Sequence, residues 1–221
     1  MGFHLIDLAA WNRREHFHHY LNQVPCFYSM TVDLDVTQLK KRGGPFYPAM
    51  LHSLATVVNR RQEFRMALDE NGSPGSFDQL SPSYTVFHPK TETFSCLWTE
   101  YTPDYALFLR RYEEDMRLYG EVEAFEAKPN TPAASFNVSM IPWQSFSSFH
   151  LELPRGEDYL LPIFTLGRYR PVEGKLLLPL ALQVHHAVCD GFHLCAFLDG
   201  LQQKIDRLAA PPVRPEGRIT P

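Results

Sequence analysis

Apolar positions in this chain alternate between short strand-like runs and helical stripes, and the longest run lies near the end. Residues 175–183, Lys175-Leu176-Leu177-Leu178-Pro179-Leu180-Ala181-Leu182-Gln183, are apolar on both faces, which predicts a fully buried strand too short to cross a membrane. After Asp190-Gly191, the residues Leu194, Phe197, Leu198, Leu201, Ile205 and Leu208 recur at helical spacing. Upstream, Phe17, Tyr20 and Leu21 predict a short helix within residues 11–21 that has Arg13 near its start. Residues 25–34 predict a strand, 36–41 a helical turn, and Gly43-Gly44-Pro45 a break. Tyr47, Met50, Leu51, Leu54, Val57 and Val58 form one face of an amphipathic helix.

Residues 64–68 predict a strand, and Gly72-Ser73-Pro74-Gly75 a turn that closes a hairpin. Residues 83–88 and 93–98 are natural sheet neighbours. Between Asp104 and Gly120, Phe108, Tyr112, Met116 and Tyr119 line one helical face while charges occupy the others, the pattern of a surface helix on a sheet. Residues 127–134 predict a loop, and residues 137–143, 146–153 and 161–169 predict further strands.

Composition narrows the class. A chain of 221 residues with 44% hydrophobic content can bury a substantial core, and it predicts one domain over residues 1–210 with a flexible tail over 211–221. The net charge of -4, with signs mixed along the chain, argues against nucleic acid as a partner. Cys26, Cys96, Cys189 and Cys195 lack the close spacing of metal ligands, and the N-terminus has no secretion signal, so reduced thiols in a cytoplasmic protein are expected. No apolar run reaches the roughly 20 residues of a membrane helix.

The candidate chemistry lies where the buried strand gives way to the last helix, at Val184-His185-His186-Ala187-Val188-Cys189-Asp190-Gly191. Side chains alternate along a strand, so His185 and His186 face opposite sides and need separate explanations. Asp190 reads as the first-turn acid or cap of the helix. An imidazole with a reference pKa near 6.5 accepts a proton at physiological pH, and His186 is the candidate general base. Burial and hydrogen bonding alone also account for such a pair. Arg13 is badly placed for the dipole of its helix, so it is either a solvated charge or has a carboxylate partner, for which Asp190 is the candidate.

Metal hydrolysis through His186 and Asp190 would need their i, i+4 spacing on one continuous helix, and the break between strand and helix argues against it. A cysteine mechanism through Cys189 has no feature to lower the thiol pKa. Ligand binding without turnover remains a third alternative.

The segment His185-His186-Ala187-Val188-Cys189-Asp190-Gly191-Phe192-His193 resembles the signature of the chloramphenicol acetyltransferases, within the acyltransferases that use acyl-coenzyme A. Further segments are similar to the type A members in the same order: residues 11–17, Phe46-Tyr47-Pro48, residues 63–67, 84–88 and 91–95, Asn137-Val138-Ser139, Pro142-Trp143 and residues 178–193. With the predicted elements, the resemblance implies an α/β chain of the α+β two-layer sandwich type, with a largely antiparallel mixed sheet and helices packed on one face.

The resemblance also implies an O-acetyltransferase that moves the acetyl group of acetyl-coenzyme A to a hydroxyl of chloramphenicol, conferring antibiotic resistance. No bound cofactor or metal is expected. His186 would be the base and the hydroxyl would attack directly; Ser139 would stabilise the oxyanion, and Thr165 would assist through a water. Arg13 and Asp190 would brace the site, and Tyr20, Cys26, Tyr28, Phe149, Leu151 and Ile163 would line the antibiotic pocket. Family members are homotrimers whose active sites lie between subunits. Another hydroxylated acceptor remains open, because residues 123–135, Phe77 and Met140 depart from the family pattern. His193 extends the motif but lies on the predicted helix, where a structural role is expected.

Overall fold

The computed structural model describes residues 2–153 and 158–209. In chain order the elements are β1 (Phe3–Leu5), α1 (Arg14–His18) continued by a π-helical turn (His19–Gln23), β2 (Phe27–Asp35), α2 (Thr37–Arg42), α3 (Phe46–Val58), a 3-10 turn (Gln62–Phe64), β3 (Met66–Leu68) and β4 (Pro74–Phe77). They continue with β5 (Ser81–His88), β6 (Thr93–Trp98), α4 (Tyr105–Tyr119), β7 (Ser135–Met140), β8 (Ile163–Leu166), β9 (Arg170–Val172), β10 (Lys175–His185) and α5 (Gly191–Ala209). The expected tail over 211–221 lies outside the described residues.

The main sheet has the order β2-β10-β8-β7-β5-β6, with β9 paired to β10. The β5–β7 and β7–β8 pairs are parallel and the others antiparallel, so the sheet is mixed. A second, three-stranded sheet has the order β1-β4-β3. Register divides the main sheet into two chemically different faces. Leu178, Leu180, Leu182 and Val184 of β10 share one face with Phe164 and Leu166 of β8 and Val138 of β7, all buried. Helices cover this face: Phe197 of α5 stacks on Phe164, and Tyr47 of α3 and Tyr112 of α4 both meet the ring of Tyr84 in β5. The opposite face carries Ser29, Thr31, Gln183, Thr165, Ser139 and Asn137. β10 itself is buried from Leu178 to His185 on both sides, as its apolar run predicts, with Ala181 and Gln183 turned toward the face that carries the hydroxyls.

α3 is more central than its apolar stripe implies, with every residue from Pro48 to Val58 buried. Its polar members bond within the helix: Ser53 Oγ donates to the Ala49 carbonyl and Thr56 Oγ1 to that of His52. α4 starts where Asp104 accepts the N–H groups of Ala106 and Leu107, a side-chain cap that fixes the helix end.

Several strand expectations need correction. Residues 146–153 form no strand, because their backbone bonds to side chains instead of to a neighbouring ladder. Phe149 N–H donates to Thr31 Oγ1 at 3.3 Å and Leu151 N–H to Gln183 Oε1 at 3.1 Å, so the segment crosses the polar face. Gly167 lets it approach, since a Cβ there would stand 2.7 Å from the Phe146 ring and from Pro179. The strand expected over 161–169 is only β8, and β9 follows it. A two-residue turn at Glu173-Gly174 joins β9 to β10, both residues at positive φ (48° and 81°), the conformation of a tight hairpin. Phe64 lies in the 3-10 turn, not in β3, and β7 ends at Met140, before Pro142.

The divergent segment after α4 is tied to β6. Cys96 N–H donates to the Phe125 carbonyl, and Lys128 Nζ reaches Asp115 Oδ1 at 2.7 Å while standing 3.8 Å from the centre of the Trp98 ring. Among the described residues, no helix is long and apolar enough to cross a membrane.

Candidate active site

β10 ends at His185, and the chain turns through residues 186–190 before α5 begins. His185 is fully buried with its ring edge-on to Phe27, and its Nδ1 accepts the Ala187 N–H at 3.0 Å. That nitrogen helps to form the turn. His186 faces the other way, as strand alternation requires. Its peptide is held at both ends: the N–H donates to the Cys26 carbonyl at 2.8 Å, and the carbonyl accepts from Arg13 Nη2 at 3.0 Å.

The ring of His186 lies parallel to that of Tyr20, with centroids 3.9 Å apart and planes at 6°, and Tyr28 meets it edge-on at 5.3 Å. Nδ1 is buried with no hydrogen-bond partner among the described residues. Nε2 is therefore the ring nitrogen that a substrate can reach. The imidazole is thus stacked on one tyrosine, met by a second, and held at both ends of its peptide.

Arg13 explains how the turn keeps its shape. It sits at the N-cap position of α1, where its charge opposes the helix dipole, and it makes no cap bond there. Its guanidinium instead spans the turn, with Nη1 2.5 Å from Asp190 Oδ2, Nη2 on the His186 carbonyl and Nε 3.3 Å from the Ala187 carbonyl. Burial raises the Asp190 pKa, but the Arg13 hydrogen bond and charge, with His193 beside it, outweigh burial and hold the carboxyl below the usual range. The other Asp190 oxygen, Oδ1, is 2.7 Å from His193 Nδ1. Asp190 precedes α5 and its carbonyl accepts the Leu194 N–H, but its side chain faces sideways into the ion pair.

Burial pushes the Cys189 thiol up to about 12 against the opposing hydrogen bond of Tyr28, so Cys189 is protonated at neutral pH and unsuited to be a nucleophile. Burial also raises the Tyr28 hydroxyl, which stays a phenol. Among the described residues no three His, Cys, Asp or Glu side chains are grouped to hold a metal ion. His186 and Asp190 are not on one continuous helix, the arrangement a metal site through this pair would need.

Ser139 and Thr165 stand side by side on β7 and β8, their hydroxyl oxygens 3.0 Å apart on the polar face. Ser139 also lines a cleft of about 490 Å³ with Tyr47, Phe87, Phe94, Met116 and Trp143. This pair is remote from His186. Thr165 is opposite Ala181, and His186, just past the end of β10, is five residues further on; at about 3.4 Å per residue that is about 17 Å. Tyr20 and Tyr28 stand at His186, and Cys26 contributes there through its carbonyl. Phe149, Leu151 and Ile163 gather on the polar face around Gln183, which is opposite Ile163.

Two contributors escaped sequence reasoning. Gln183 Oε1 accepts both the Leu151 N–H and the Ser29 hydroxyl, and Glu63 faces the outer nitrogen of His193. Neither has a local sequence signal, because each meets its partners only through folding.

This architecture recurs in solved acetyltransferases. A chloramphenicol acetyltransferase superposes with a TM-score of 0.80 at 20% identity, covering 92% of this chain and 100% of that one. A dihydrolipoamide acetyltransferase of Azotobacter vinelandii gives 0.65 at 16%, covering 88% and 86%. The fold is that of the coenzyme A-dependent acyltransferases. The sequence model of the family described as chloramphenicol acetyltransferase matches residues 1–202, and the chain belongs to that family. A chloramphenicol acetyltransferase of Campylobacter coli is 54% identical over 207 residues, 94% of this chain and 100% of that protein. One of Clostridium perfringens is 54% identical over 206 residues, 93% and 100%.

Proposed function

We propose that the chain acetylates a hydroxyl of chloramphenicol with acetyl-coenzyme A as donor, His186 acting as general base in a site built between copies. Family membership over residues 1–202 supports the reaction, and the enclosure of His186 supports its role. Nε2 takes the proton from the acceptor hydroxyl as the oxygen attacks the thioester carbonyl. The tetrahedral intermediate collapses to the acetyl ester, and the thiolate of coenzyme A leaves with the proton that His186 returns. The acetyl group is never carried on the protein. Ser139 donates a hydrogen bond to the oxyanion, and Thr165 orders the same region through its contact with Ser139.

The separation of these groups is the observation that carries the two-copy site. A base and an oxyanion donor must both lie about 3 Å from the reacting atoms, and about 17 Å along one sheet cannot close to that. His186 of one copy facing Ser139 and Thr165 of the next satisfies the requirement. A closed ring of three copies, with three equivalent sites, is the assembly we favour by family membership. Exposed Phe125, Trp143 and Phe192 are the kind of surface such contacts cover.

The mainly apolar cleft beside Ser139 suits the flexible arm of the donor, while Tyr20, Tyr28, Phe149, Leu151 and Ile163 supply the apolar walls a nitrophenyl ring needs. The four free cysteines suit a cytoplasmic setting. The test is thiol release from acetyl-coenzyme A, with and without chloramphenicol, for the native chain and a folded His186→Ala variant. Release that depends on chloramphenicol and disappears in the variant is expected; release that survives the substitution would remove His186 from the role.

A further inference from the structure

His193 lies one helical turn before Phe197 on the same side of α5. The 3-10 turn crosses this side of the helix. Phe64 stacks on Phe197 with centroids 4.5 Å apart, and the preceding residue, Glu63, brings Oε1 to 3.5 Å from His193 Nε2. The other ring nitrogen is 2.7 Å from Asp190 Oδ1. A row of alternating polar groups results, Glu63, His193, Asp190 and Arg13, whose side chains are 27%, 18%, 34% and 12% exposed. It ends on the carbonyls of His186 and Ala187, which Arg13 holds.

We propose that His193 is a positioning residue for His186, which it orients through Asp190 and Arg13, with Glu63 steadying its ring. The inference rests on His186 being the base. Arg13 holds only Oδ2 of Asp190, and a carboxylate held at one oxygen can turn about its terminal bond. His193 holds Oδ1 and stops that rotation, so the guanidinium keeps its contact with Oδ2 while it reaches both carbonyls. Without it, the turn that carries His186 loosens, and a misplacement of about 1 Å at the reacting atoms can cost about 100-fold in rate. The ring faces a carboxylate oxygen at each nitrogen and pairs with both only as an imidazolium, the form to which the positioning role belongs; with Nδ1 bare, that nitrogen accepts the Asp190 N–H at 3.2 Å instead.

Asparagine and glutamine separate the two ends of the ring, since an Asn amide nitrogen stands near the position of Nδ1 and a Gln amide nitrogen near that of Nε2. In the assembled enzyme, His193→Asn should keep kcat within about threefold, and His193→Gln should lower it about tenfold or more with KM for both substrates nearly unchanged. Glu63→Gln, which leaves Asp190 untouched, should lower kcat about threefold, and keeps the test open if a His193 variant does not fold. In an Asp190→Asn background His193→Gln should add less than about twofold, because its effect passes through that carboxylate.

Equal losses in the Asn and Gln variants, a loss confined to KM, an unaltered kcat in folded Glu63→Gln, or full additivity with Asp190→Asn would each overturn the proposal. His186→Ala, assayed alongside, keeps the two claims apart. If it abolishes turnover while the His193 variants behave as native, only the positioning role fails. If it retains turnover, the base assignment fails and takes the positioning role with it.

Discussion

Ser139 and Asp190 make the most specific claims at the scale of single residues. Removing one well-placed oxyanion donor costs about 10² to 10³ in turnover, so Ser139→Ala should lower kcat by that factor and leave the melting temperature nearly unchanged. The second outcome follows from its position lining an open cleft, where a lost hydroxyl leaves no core cavity. For the ion pair, the Asp190 side chain is 34% exposed, so breaking it should cost less than the 3 to 5 kcal/mol of a fully buried pair; about 1 to 3 kcal/mol is expected for Asp190→Asn.

The pH dependence of that cost has a definite sign. The folded carboxyl titrates below its unfolded value, near 3.9, so its contribution is complete above that value and is lost as the pH falls through the folded pKa. The difference in melting temperature between the native chain and Asp190→Asn should therefore hold from pH 8 to about 5 and shrink below about 4. A difference that grew toward acid would contradict this.

Among the elements, α3 carries an acid-sensitive contact. His52 is wholly buried, its Nε2 3.1 Å from the Thr102 carbonyl and its ring packed against Tyr101, Tyr105 and Phe108. Burial first, and the charge of Lys204 second, push its pKa down to about 4. An unfolded histidine near 6.5 binds a proton that the folded one refuses, so stability falls from about pH 6.5 to about 4 and this group adds nothing further below. The loss is roughly 3 kcal/mol, and His52→Met should flatten the melting temperature across that range.

α1 illustrates a different point, since its continuation into a π-helical turn sets Tyr20 over the ring of His186. Apolar spacing announced a helix in residues 11–21, but a π turn adds one residue to the ladder and leaves no period to detect.

At the scale of the whole molecule, the proposed site between copies predicts complementation. His186→Ala and Ser139→Ala chains, each inactive alone, should regain activity when unfolded together and refolded as mixed assemblies. With equal amounts, each site draws its base from an intact donor half the time and its hydroxyl from an intact donor half the time, so about a quarter of sites recover. Mixtures that stay at the sum of the separate activities would confine each site to one chain. The same mixtures, assayed for size, report whether the assembly holds three copies.

Sequence by itself determined the local order of this protein. The buried run of β10, the stripes of α3, α4 and α5, and the break at Asp190-Gly191 follow from side-chain periodicity, because a strand repeats every two residues and a helix every 3.6. The placing of the paired histidines on opposite faces follows from the same alternation.

Tertiary structure decided which of these groups meet. Arg13 reaches Asp190 across 177 positions of chain, Glu63 reaches His193 through the packing of Phe64 on Phe197, and residues 146–153 give up strand pairing for the hydroxyls and amides of a polar sheet face. Periodicity records the environment of a residue averaged over its own element. Contacts between elements, and the distance of about 17 Å between His186 and the Ser139–Thr165 pair, depend on register, and register is decided only when the sheet is assembled.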